Sequence, residues 1–139
     1  MSLSIRNQFP GTAVSVTTGE VMAAVKVRLG SGRELTAAVT VDAVRDLGLA
    51  EGSAVLALIK STEVSLATGG VDGLSIRNRI PGTVVEVAFG GAMAGVKVAV
   101  ADGELTAVVT VEAARELGLT AGTPVTALLK STEVALATA

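Results

Sequence analysis

Serine, arginine and asparagine stand within four residues at Ser4-Ile5-Arg6-Asn7, and the same four types recur at Ser75-Ile76-Arg77-Asn78. Each cluster offers a hydroxyl, a guanidinium and a carboxamide. All three donate hydrogen bonds, and the arginine adds a permanent positive charge. Such a cluster suits a small oxyanion; it suits the solvated lead-in to a strand equally well, and four residues alone do not separate the two. A second donor-rich spot, Lys60-Ser61-Thr62, returns as Lys130-Ser131-Thr132, each time after an apolar stretch. It reads either as an anion contact or as the turn chemistry of a strand running out into solvent. Thr40 and Thr110 each precede a short helical pattern. A threonine N-cap satisfies an unpaired backbone N–H of the first helical turn, and from that position it can also face an anion.

The residue types that are missing narrow the chemistry further. The chain has no His, Cys, Trp or Tyr. Imidazole bases, thiol nucleophiles, disulfides and Cys/His metal sites are thereby excluded. A metal ion would need a carboxylate cage, and no EF-hand spacing is present. No pair of carboxylates has a spacing that points to acid–base catalysis; Asp42, Asp46, Glu112 and Glu116 read as the exposed faces of helices. The chain is therefore expected to be no enzyme, with no catalytic cofactor and no metal site. The formal net charge is −2, and Phe9 and Phe89 are the only candidate stacking platforms, so nucleic acid is not an expected partner. Polar residues interrupt every apolar stretch before it reaches membrane-spanning length, and the start of the sequence does not read as a signal peptide. A cytoplasmic protein without a membrane partner is the expectation.

The elements that must position these residues come twice. Ser4 maps to Ser75 and Lys26 to Lys97, an offset of 71, whereas Lys60 maps to Lys130, an offset of 70. The residue lost lies in a hairpin, where Gly30-Ser31-Gly32-Arg33 becomes Ala101-Asp102-Gly103. The division expected is a first domain at 1–68, a linker at 69–73 and a second domain at 74–139. In the first repeat, residues 3–9 read as an extended segment ending at Pro10-Gly11. Residues 12–17, 21–29 and 34–39 follow as strands with valine-rich alternation. A short helix at 41–47 is capped by Thr40 and ended by Gly48. Strands at 54–59 and 63–67 close the unit. Five short strands and one small helix in about 65 residues, with almost no aromatics, predict a narrow barrel filled by valine and alanine. The fold class is thus all-β with a short helix per repeat, as two tandem OB-like five-stranded β-barrel domains. A pair of flat sheets is the architectural alternative.

Taken together, Ser-Ile-Arg-Asn-x-x-Pro-Gly-Thr, a Gly-x-Val-x-Ala hairpin, Leu-Thr-Ala-x-Val-Thr, a helix ending Leu-Gly-Leu and a closing Lys-Ser-Thr-Glu-Val resemble the Mop family. These molybdate- and tungstate-binding domains, the molbindins, are related to the TOBE domains of molybdate transporters and regulators. The resemblance covers almost the whole chain and is closest to the two-domain molbindins. It implies an oxyanion, molybdate or tungstate, as ligand. The contacts it implies are Ser4, Arg6, Asn7, Thr40, Lys60 and Ser61, with the backbone of Ile5. The second set is Ser75, Arg77, Asn78, Thr110, Lys130 and Ser131, with the backbone of Ile76. It also implies a homo-oligomer: a trimer of two-domain chains, with sites where Ser-Ile-Arg-Asn of one domain meets Lys-Ser of a neighbour. One departure stands out. Family members often carry Ala-Glu-Val in the second strand, where this chain has Ala23-Ala24-Val25 and Ala94-Gly95-Val96. The family's second class of site, near that hairpin, is therefore not among the expectations. Storage and homeostasis of the anion is the function implied. The rivals are a regulatory module acting in trans on a transporter or transcription factor, and an OB-type nucleic-acid binder. The chain itself has neither a P-loop nor a helix-turn-helix.

Overall fold

Valine-rich alternation builds the sheets. The computed structural model describes residues 2–138. Strand β1 (Asn7–Thr18) leads into β2 (Met22–Leu29) and β3 (Glu34–Thr40). In β2 every second residue is buried: Ala23, Val25, Val27 and Leu29 point inward, while Ala24, Lys26 and Arg28 face out. Helix α1 (Val41–Leu47) follows, and β4 (Ala54–Ile59) returns antiparallel to β1. The chain then makes a 3-10 turn (Ser61–Glu63) and strand β5 (Ser65–Ala67). The second repeat gives β6 (Asn78–Phe89), β7 (Met93–Val100), β8 (Gly103–Thr110), α2 (Val111–Glu116) and β9 (Pro124–Leu129). A second 3-10 turn (Ser131–Glu133) and β10 (Ala135–Thr138) end it.

The first strand differs from its sequence expectation. Residues 3–9 do not form a segment that stops at Pro10-Gly11; β1 runs unbroken through both residues. Pairing explains why proline is tolerated. β1 pairs with β4 over residues 7–12 but with β2 only from Gly11 onward, so Pro10 has a single neighbouring strand. Its missing N–H costs no ladder bond on the other side. Gly11 is required by close approach: a Cβ there would lie 2.7 Å from the Arg28 carbonyl oxygen, and one on Gly82 would lie 2.5 Å from that of Ala99. Past the crossover, the register with β2 slips between Ala13 and Ser15, and the equivalent slip in β6 falls between Val84 and Glu86. Such bulges bend a strand and increase its twist, which a tightly curled sheet needs.

Each compact unit is a five-stranded curled sheet of OB-like barrel type with a core of valine, alanine, leucine and isoleucine. The strand order is β10-β4-β1-β2-β3 in one unit and β5-β9-β6-β7-β8 in the other. Here the compact units in space do not coincide with the sequence repeats at 1–68 and 74–139. Strand β5 does not close its own repeat; it pairs with β9, Ser65 opposite Leu128 and Leu66 opposite Ala127. Strand β10 pairs with β4, Ala135 opposite Leu58. The compact units are residues 1–59 with 130–139, and residues 60–129. The closers are nearly the same sequence, Lys-Ser-Thr-Glu-Val followed by Ser-Leu-Ala-Thr or Ala-Leu-Ala-Thr. Either one fits either sheet edge, so the exchange leaves no mark on the hydrophobic pattern.

Candidate anion-binding site

The lead-in to β1 is held by its own side chains. Ser4 and Arg6 are exposed, Ile5 is half-buried, and Asn7, at 2% exposure, begins the strand. Asn78 does the same for β6 at 3%; among the described residues these two asparagines are the buried polar side chains. Each is engaged with a partner, which anchors the point where the lead-in leaves the sheet. Asn7 lies opposite Ile59, the last residue of β4, and Asn78 lies opposite Leu129, the last of β9. Lys60 and Lys130 are the residues that follow in the chain, and both are exposed.

The strand exchange regroups the expected site residues. One compact unit holds Ser4, Ile5, Arg6, Asn7 and Thr40 together with Lys130 and Ser131. The other holds Ser75, Ile76, Arg77, Asn78 and Thr110 together with Lys60 and Ser61. Each 3-10 turn packs on the third strand of its unit, Ser131–Glu133 on β3 and Ser61–Glu63 on β8. Each opening motif thus shares a unit with the Lys-Ser of the other repeat, not with its own. Thr40 and Thr110 are the N-caps expected, accepting from the Ala43 and Ala113 N–H groups at 3.1 Å. Thr40 pairs with Met22, at the end of the β1–β2–β3 meander opposite Asn7, so sheet register does not bring these two together.

The donors differ in how far they are already committed. Arg6 turns its guanidinium back on its own loop, Nε to the Ser4 carbonyl at 3.2 Å and Nη2 to the Leu3 carbonyl at 3.0 Å. Gln8 donates from Nε2 to the Ile5 carbonyl at 2.9 Å. In the second copy Arg79 takes that place, Nε to the Ile76 carbonyl at 2.9 Å and Nη2 to the Leu74 carbonyl at 2.8 Å. Alignment of the two repeats pairs Gln8 with Arg79, two different residue types. The signal it misses is that both residues carry N–H donors on a side chain long enough to reach the same carbonyl. Ser61 Oγ is buried and has no hydrogen-bond partner among the described residues. A buried hydroxyl left so costs about 1–3 kcal/mol, which a ligand oxygen would recover. Among the described residues no group of three His, Cys, Asp or Glu side chains could hold a metal ion. What the exposed face offers is donors and positive charge, a set suited to an anion whose oxygens only accept.

The aromatic side chains offer little to a nucleic acid. Phe9 is 4% exposed, and Phe89, though half exposed, has the Arg115 guanidinium 5.7 Å from its ring centroid. No helix among the described residues is long and apolar enough to cross a membrane.

The chain is similar to known proteins along its whole length. The chain fits the family model of the TOBE domain twice, at residues 3–66 and 74–136. It is 41% identical over 136 residues to the molybdenum-pterin-binding protein MopB of Rhodobacter capsulatus, covering 96% of this chain and 50% of that one. It is 36% identical over 138 residues to the molybdenum transport protein ModE of Azotobacter vinelandii, covering 99% of this chain and 51% of that one. The chain thus spans about half the length of these curated relatives. Among solved structures, the cytoplasmic molybdate-binding protein ModG with molybdate bound superposes with a TM-score of 0.96 at 40% identity, each chain covered completely. Two consecutive domain matches and a full-length structural counterpart show that the chain belongs to the TOBE-domain family, as a tandem pair of Mop-type domains.

Proposed function

We propose that this protein binds molybdate or tungstate in the cytoplasm and serves to store and buffer the anion, by binding and not by catalysis. The observation that carries the reading is the complete match, in fold and length, to a protein described as a cytoplasmic molybdate-binding protein. The donor set supports it: exposed Arg6, Arg77, Lys60 and Lys130, exposed Ser4 and Ser75, and Ser61 with its unpartnered hydroxyl. The contacts proposed are these residues with Asn7, Asn78 and Ser131, the backbone N–H groups of Ile5 and Ile76, and Thr40 and Thr110 beside the helix caps. Molybdate and tungstate are tetrahedral dianions that accept and cannot donate. Phosphate near neutral pH usually carries a proton, for which an all-donor site has no acceptor. Isothermal titration with molybdate, tungstate, sulfate and phosphate tests the assignment. Heat of binding for the first two with little for phosphate is expected; equal affinity for all four would reduce the site to a generic anion patch.

The assembly proposed is a homotrimer of two-domain chains. The exposed apolar side chains Val21, Val85, Phe89 and Met93 support it, since barrels this small gain stability by covering such surface. A second reading, action in trans on a transporter or transcription factor, is favoured by the match of nearly the whole chain to about half of ModE. Recovery of a stable complex with such a partner from cell extract would support it over free-standing storage.

A further inference from the structure

The residue that follows each opening motif differs in chemistry, Gln8 in the first copy and Arg79 in the second. Leu3 and Ile5 correspond to Leu74 and Ile76. In the second copy the forked guanidinium of Arg79 holds both the Leu74 and Ile76 carbonyls. In the first, the carboxamide of Gln8 holds only the Ile5 carbonyl. The Leu3 carbonyl is taken by Arg6, which also bonds the Ser4 carbonyl. A carboxamide cannot reproduce the fork, so the brace falls to the arginine of the motif itself. With Arg79 in place, Arg77 has no hydrogen-bond or ion-pair partner among the described residues. Two of the five N–H donors of Arg6 are committed to its own loop, and both bonds must break before its guanidinium can swing away from it; none of those of Arg77 is so committed.

We propose that residues 8 and 79 are positioning residues that set how available the preceding arginine is to a tetrahedral oxyanion. The two opening motifs of one chain are then non-equivalent, and the one at 75–78 binds more tightly. The proposal rests on the oxyanion reading above. Releasing the arginine from its loop should change affinity on the order of tenfold, the scale of one or two net hydrogen bonds. Arg79 thus acts through Arg77, by freeing it, and needs no ligand contact of its own.

Titration calorimetry with sodium molybdate at fixed ionic strength on the full chain tests this, with circular dichroism and melting of each unliganded variant as the fold control. The wild type should show two affinity classes. Gln8→Arg should tighten the weaker class about tenfold, toward a single class. Arg79→Gln should weaken the tighter class by a similar factor. Gln8→Lys adds the same charge without the fork and should give no gain. A gain from Gln8→Arg is something a folding defect cannot produce, so the test stands even if Arg79→Gln proves unstable. Molybdate binding in a single class, no gain in Gln8→Arg, or an equal gain in Gln8→Lys would each overturn the proposal while leaving the oxyanion reading intact. No binding of molybdate by the wild type would overturn that reading, and this proposal with it.

Discussion

Ser61 and Ser131 occupy the same place in two copies of one motif, and Ser61 Oγ is buried without a hydrogen-bond partner. If that hydroxyl is kept for a ligand, Ser61→Ala removes a cost from the unliganded fold and a contact from the bound state. The unliganded variant should be as stable as the wild type or slightly more so, and should bind molybdate more weakly, by about 1 kcal/mol. Chemical denaturation with and without molybdate checks both halves; a less stable unliganded variant would give the serine a structural role. The lysines make a different prediction. Lys60 and Lys130 are exposed and engage no carboxylate or carbonyl among the described residues. Lys60→Ala and Lys130→Ala should therefore leave melting of the unliganded protein unchanged while weakening molybdate binding by on the order of 1.5–3 kcal/mol, the worth of a hydrogen bond to a charged group. Titration of the two variants checks this, and unchanged isotherms would return both lysines to solvated strand ends. At this scale the donor chemistry of Ser4-Ile5-Arg6-Asn7 was legible from side-chain types alone. The commitment of Arg6 was not, because whether a guanidinium folds onto its own loop depends on which carbonyls are already taken.

Between the residue and the fold lie the strands and caps. At Gly11 in β1 and Gly82 in β6, any added Cβ would lie 2.7 and 2.5 Å from a carbonyl oxygen of the neighbouring strand. Backbone cannot move aside as a flexible side chain can. Gly11→Ala and Gly82→Ala should each destabilise the protein by roughly 1–3 kcal/mol, read as a lower denaturation midpoint. A neutral effect would mean that the strands can separate without loss. The caps behave differently. Thr40→Ala removes a bond to the Ala43 N–H and should cost about 1 kcal/mol of stability. Affinity for molybdate in that variant separates a cap alone, which leaves it unchanged, from a threonine that also faces the anion. The alternation of β2 and the helix at 41–47 with its left-handed Gly48 (φ 61°) were readable in advance, because each follows from local preference. The continuity of β1 through Pro10 was not. It depends on which side of the strand has a partner, a fact supplied by β2 and β4.

At the scale of the molecule the exchanged closing strands decide the behaviour. Strand β10 covers the edge of β4, whereas the edge of β9 is covered by β5. A chain ending at Leu129 should therefore lose protection from hydrogen exchange in β4 of the first repeat and keep it in β9 of the second. The opposite pattern would mean that each repeat closes itself. Such a chain also lacks Lys130 and Ser131, so the unit that holds Ser4–Asn7 should lose its oxyanion affinity with its edge. Assembly gives a second test. Light scattering should return about three times the 13.8 kDa chain mass. Molybdate at about one hundred times its dissociation constant should add roughly 2.7 kcal/mol per independent site to stability. A monomer that binds molybdate tightly would confine each pocket to one chain.

The sequence by itself determined the repeat, most of the strands and the short helices, the small-residue core and the donor chemistry, because each is written in side-chain types and their local period. The absence of His, Cys, Trp and Tyr removed imidazole and thiol chemistry from the side chains available, before any fold was considered. Only the tertiary structure decided which closing strand completes which sheet, since two nearly identical segments present the same hydrophobic face to two nearly identical edges. The same exchange decided that Lys130 and Ser131 share a unit with Ser4–Asn7, and that Lys60 and Ser61 share one with Ser75–Asn78. It also took the folded lead-ins to distinguish Arg6 from Arg77: the two stand in identical motifs, and only the carbonyls around them differ in what they already hold.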